Sequence, residues 1–252
     1  LLGSAAALVA LWLGHPLLDR DAARGLHLVA GRFGFMGLLA FGLSYVLLPM
    51  FALGRVPDDR RQQQAGSAAL LAVALAAVAP LLGAWTLPLG VLALLLGALA
   101  LWLHLRLMRA VLATAMRRDL GMGGRLMLGG WLGLGLALLA AAVAVALPGE
   151  AGSVAGLLFG LAAVAGWLLS FLLGVLQRIL PFLAAMHAAQ GRRRPPTPSA
   201  LTLPHVLAWH AAAHALALAL LAAGLGLHSV PLLRAAGAVG SIGALAFAAF
   251  VG

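Results

Sequence analysis

Two histidines four residues apart, His210 and His214 in "PHVLAWHAAAHAL", fall on one face of a helix, as metal ligation or a shared pocket requires. A third, His27, opens the apolar run "LHLVAGRFGFMGLLAFGLSYVLLPMF", and Arg32 follows it by more than a turn. An imidazole inside apolar sequence must hold a metal, face a cavity or share a hydrogen bond with a neighbouring helix. An imidazole at a helix end needs only headgroups and water. His15 and His228 on one side, and His104, His187 and His205 toward the other, take that second reading, with His15 kept beside His214 as a partner for His27. A guanidinium inside such a run costs roughly 2.5–3.5 kcal/mol on insertion scales unless it snorkels or is paired. Arg32 therefore requires a negative charge from outside the chain: lipid phosphate, another subunit's acid, or a carboxylate on a bound cofactor. Arg24 and Arg234 stand on the same side and share that role, since a guanidinium grips a carboxylate with two N–H donors.

The elements that position these residues follow from composition. Of 252 residues, 64% are hydrophobic and 9% charged, and the mean hydropathy is +1.09. A hydrocarbon layer of about 30 Å is crossed by about 20 apolar residues in helix. Backbone groups in lipid are satisfied within a helix or a closed barrel, and no alternating ten-residue strands appear. The fold class is all-α, a polytopic transmembrane helical bundle. Eight helices are expected, over residues 1–18, 26–53, 66–84, 87–112, 123–147, 152–186, 201–223 and 231–251. The chain begins and stops inside apolar sequence, so it reads as a piece clipped at both ends.

All sixteen basic residues are arginine, six residues are acidic and cysteine is absent, which excludes disulfides and thiolate metal sites. The linkers "GRVPDDRRQQQ", 106–125 and "QGRRRPP" are arginine-rich and alternate with poor ones such as "LPGEAGS" and "GLGLHSVP". By the positive-inside rule the rich linkers are cytoplasmic, in a bacterial inner membrane, which places His27 near the outer face. A shift of 132 residues lays Gly34 on Gly166, Gly42 on Gly174, Leu48-Pro49 on Leu180-Pro181 and Arg60-Arg61 on Arg192-Arg193. Two parallel four-helix repeats are implied, 1–120 and 121–252. Asp19, Asp21, Asp58, Asp59, Asp119 and Glu150 all fall in the expected linkers, so no carboxylate remains in the membrane to relay protons. No P-loop, dinucleotide fingerprint, EF-hand loop or zinc-protease helix occurs, and the short linkers leave no room for a soluble catalytic domain.

The run from His27 through Gly34, Gly42 and Pro49 resembles the second helix of haem–copper oxidase subunit I and its smaller NnrS-like relatives. There a histidine near the outer end precedes spaced glycines and an inner "LP". "LGVLQRILPFLAAMH" resembles a later segment of the small relatives. The resemblance implies that His27 is an axial ligand of haem b, with His214, His210 or His15 as partner and Arg32, Arg24 and Arg234 available to propionates. His27 and His214 are the expected metal ligands, and copper is a further metal the resemblance allows. The chain has no His-His pair in a helix and one tyrosine, Tyr45, so oxygen reduction coupled to pumping is not expected. The expected activity is electron transfer or response to a gas such as NO or O2. Two other classes stay open: a cofactor-free subunit that docks among the membrane subunits of a respiratory or photosynthetic complex, and a small-solute transporter. The lipid bilayer is a partner in every case, and nucleic acid in none.

Overall fold

A computed structural model describes residues 2–14, 18–117, 119–190 and 196–251, and every regular element among them is helical. The helices are α1 (Leu2–Trp12), α2 (Arg20–Ala52), α3 (Asp59–Val78), α4 (Thr86–Ala113), α5 (Gly121–Ala146), α6 (Gly149–Ala189), α7 (Pro204–Gly226) and α8 (Val230–Val251). Seven, α2 to α8, are long and apolar enough to cross a membrane. The chain is a polytopic all-α membrane protein. α1 departs from the expected span over 1–18: its 11 residues rise about 16 Å, roughly half the layer.

The helix carrying His27 starts at Arg20, six residues before the apolar run. Asp19 caps it, its carboxylate accepting from the amides of Asp21 at 3.0 Å and Ala22 at 2.9 Å, and Asp21 adds negative charge to the positive end of the helix. His27 therefore sits two turns inside its helix. Asp58 caps α3 in the same manner through the amide of Arg61.

The chain divides into two compact units, residues 1–118 with 138–148, and residues 119–137 with 149–252. In the first, α3 and α4 form a hairpin, and α2 packs on both. In the second, α7 and α8 form the hairpin, and the first part of α5 lies against α6. Lipid offers helices no hydrophobic drive to associate, so close packing must supply it, and glycines permit the closest approach. A Cβ on Gly133 would meet the backbone of Gly166, and one on Gly123 would stand 2.7 Å from the Gly174 carbonyl oxygen.

α2 and α6 are both interrupted. Residues Ala30–Gly37 of α2 and Ala162–Leu169 of α6 are π-helical, and the two segments lie 132 residues apart at both ends. Each helix then carries a proline, Pro49 or Pro181, which has no N–H for the carbonyl four residues earlier. Those carbonyls belong to Tyr45 and Gln177. Arg192 and Arg193, the other end of the expected repeat, lie outside the described residues.

Candidate functional site

The second unit holds the richer polar centre, on α7. His210 is 3% exposed, and its Nδ1 donates to the Gly243 carbonyl of α8 at 2.9 Å. A carbonyl only accepts, so in the neutral ring the proton is on Nδ1 and Nε2 carries a bare lone pair. That Nε2 is buried and meets no hydrogen-bond partner. The ring stands 5.0 Å from the Phe247 ring and stacks on His214, centroid to centroid 6.2 Å.

His214, one turn along, is half-buried, and its Nε2 lies 2.8 Å from Ser170 Oγ. The same hydroxyl donates to the Ala165 carbonyl at 3.0 Å, across the five-residue spacing that follows the π segment. Serine has one proton, so both contacts hold together when His214 Nε2 donates to Ser170, leaving Nδ1 as acceptor. Ser170 and His214 line a groove of about 500 Å³ between α5, α6 and α7, walled mostly by glycine, alanine and leucine, with Arg125 among its lining. On the face of α6 that carries Ser170, two turns along, Gln177 is 2% exposed and neither atom of its amide finds a partner.

The first unit has a smaller, closed centre. His104 of α4 is 0% exposed, lies 4.3 Å ring to ring from Phe41, and its Nδ1 is 3.1 Å from the Tyr45 hydroxyl of α2. The expectation that His104 is interfacial is corrected: it is a core residue. Trp102 and Arg106 are exposed and pair with each other, the guanidinium 4.8 Å over the indole ring, four residues apart on another face of the helix.

The other expected site residues that the structure describes lie on α2 and α8. His27 and Arg32 are half-buried on α2, with Arg32 inside the π segment; Arg24 is exposed on the first turns of the same helix. Arg234 is exposed on α8, and His15 lies outside the described residues. His27 belongs to the first unit and His214 to the second. His228 is exposed and pairs at 3.1 Å with Glu150. His187 and His205 are exposed, as expected for helix ends.

Ser170, Gln177 and Arg125 were not singled out by residue type, and His104 and Tyr45 were noted singly but not as a pair. One signal was present for His104: the buried positions Ala93, Ala100, Leu107 and Val111 recur with it at spacings of three, four and seven, the seam of a packed helix. For Gln177 the 132-residue shift itself was the signal, since it lies on Tyr45. No protein-family model, curated protein or solved structure matches the chain.

Proposed function

We propose that the chain is an integral membrane protein that binds haem b and serves electron transfer or response to NO or O2, without pumping protons. The observation that carries this reading is the wiring of His210: one ring nitrogen is fixed on a backbone carbonyl and the other is buried with its lone pair unused. Metal-ligating histidines are oriented in this way by their second nitrogen. His214 repeats the pattern through Ser170, one turn away. A haem iron needs only one or two imidazoles from the protein, whereas a copper centre needs more. Among the described residues no three His, Asp or Glu side chains gather around one point, so the donor set suits haem better than copper. Bound there, haem would supply a one-electron couple and affinity for small gases. The chain's part is to offer the nitrogen, exclude water with apolar walls and hold the ring plane. The six acids stand in linkers or in the first turns of helices, which supports the absence of a proton route.

His27 enters as a ligand through the resemblance alone, and the α7 histidines through geometry. The purified chain, reconstituted with haem, should show a Soret band that moves on reduction. His214→Ala and His210→Ala should each lose or shift most of it, with His27→Ala retaining it. Loss in His27→Ala alone returns the ligand to the first unit, and a wild-type chain that takes up no haem removes the reading. In that event the assembly-subunit reading leads, favoured by outward glycines such as Gly42, Gly156 and Gly237, which have open space around them and leave smooth faces for another helix.

We also infer a bacterial inner membrane with the arginine-rich linkers cytoplasmic. A reporter fused after Ser199 should read as cytoplasmic and one after Pro148 as external. The reverse pattern inverts the orientation.

A further inference from the structure

We infer that the groove between α5, α6 and α7 is the seat of a flat lipophilic dicarboxylate, the haem of the preceding reading, with its carboxylate edge held by Arg125 and its centre beside His214. The inference rests on that reading for the ligand's identity and adds its place, its orientation and its counter-charge. The resemblance put the carboxylates near the outer face, on Arg24 and Arg32. The groove puts them at the opposite, arginine-rich end.

Three features of the groove converge. Small residues form part of its wall, Gly129, Gly133 and Gly166 on α5 and α6 with Ala208 and Ala212 on α7, and leucines complete the apolar lining. Its chemistry is apolar apart from one imidazole–hydroxyl pair and one guanidinium. No acid lines it, so the only charge a ligand can complement is positive. Consecutive spans alternate in direction, so α5 and α7 run the same way and Arg125, one turn into α5, shares an end of the groove with Ala208. His214 stands ten residues into α7, about 15 Å along at 1.5 Å per residue. A ligand that satisfies both has an anionic edge at the interface and a nitrogen-accepting centre deep in the bilayer.

The donors are available. The Arg125 guanidinium lies 3.9 Å from the Met122 sulfur, a weak acceptor that leaves its strong hydrogen-bonding capacity for a carboxylate. His214 Nε2 on Ser170 leaves Nδ1 as the ring's acceptor for a ligand's centre, and Ser170 donates its own proton to the Ala165 carbonyl, so the pair stays intact beside the ligand. Two buried polar groups without partners lie on the same helices outside the groove lining: His210 Nε2, on the ring stacked against His214, and the Gln177 amide, two turns from Ser170 on α6.

The experiment titrates the haem-stripped full chain in detergent with haem and with its dimethyl ester, following the Soret band. Arg125→Gln is expected to weaken haem about tenfold or more, the size of a charge-assisted pair, and to leave the ester unaffected. Gly129 has open space around it, so Gly129→Leu fills the groove without breaking a helix contact, and Ala212→Phe fills it from the α7 side. Both should abolish binding of either ligand, with an unchanged size-exclusion profile as the check on folding; if one variant misfolds, the other carries the test. Haem bound as tightly by Arg125→Gln and by both filled variants as by wild type overturns the groove while the haem reading stands. A wild-type chain that binds neither ligand overturns both.

Discussion

Gly133→Val is expected to prevent the second unit from packing, while Gly129→Val, one turn away on the same helix, is expected to be tolerated. Both glycines lie on α5, both line the groove, and hydropathy does not separate them. At Gly133 even a Cβ would meet the backbone of Gly166 and stand 2.7 Å from the Trp167 amide nitrogen. Those are backbone atoms, which no rotamer change moves, so the helices must separate. Separation would also pull Trp131 from Trp167 and Phe171, whose rings stand 6.4 and 5.2 Å from it. Overpacking costs about 1–3 kcal/mol where side chains can adjust and more where backbone must shift. Around Gly129 there is open space, and a surface substitution there should stay within about 0.5 kcal/mol. Thermal unfolding of the full chain in detergent distinguishes them: a large fall in midpoint or outright aggregation for Gly133→Val, near wild type for Gly129→Val. Equal stability of the two would remove the glycine contact as the source of α5–α6 association.

His104→Ala is expected to destabilise the first unit by about 2–4 kcal/mol, the range for emptying a large buried position. In lipid the transfer term that drives such losses in water is weak, so the cost here comes from dispersion contacts with Phe41 and from a hydrogen-bonding group of Tyr45 left in an apolar core. Tyr45→Phe removes only the hydroxyl and should cost about 0.6 kcal/mol, the average found for hydrogen bonds between membrane helices. A double-mutant cycle on the pair isolates the bond, because both substitutions touch one partner each. A His104→Ala chain as stable as wild type would return His104 to the interface.

The contrast between His104 and its neighbours shows what the sequence made legible. Apolar runs announced the solvent and the helical class, since in lipid few backbone solutions exist. Where each helix starts was less legible: the polar stretch "RDAARG" is helical because Asp19 caps it, yet it contributes nothing to a hydropathy pattern. Trp102 and Arg106 made His104 look interfacial by adjacency, whereas helical geometry turns His104 away from their shared face. The 132-residue shift was readable from Gly34, Gly42 and Pro49. The π segments were not, because an extra residue within a helical turn reflects packing around it rather than residue type. The groove was also out of reach: Arg125, Ser170 and His214 are far apart along the chain, and only the packing of three helices makes them neighbours.

The two interrupted helices bear on the thickness of the bilayer that suits this protein. α2 has 33 residues and α6 has 41, about 50 and 60 Å if straight, against a hydrocarbon layer of about 30 Å. A straight rod of that length must tilt steeply or project far into the headgroups. A helix with a π segment and a proline can bend at fixed points and keep its outer and inner parts at different inclinations. Each long span can then follow a thinner or thicker membrane by changing one angle, and because Gly34 and Gly166 lie inside the π segments, their contacts with Val73 and Gly133 sit at the bend itself. Fitted to a layer of about 30 Å, such spans would place their change of inclination at Ala30–Gly37 and Ala162–Leu169, where each helix is already interrupted.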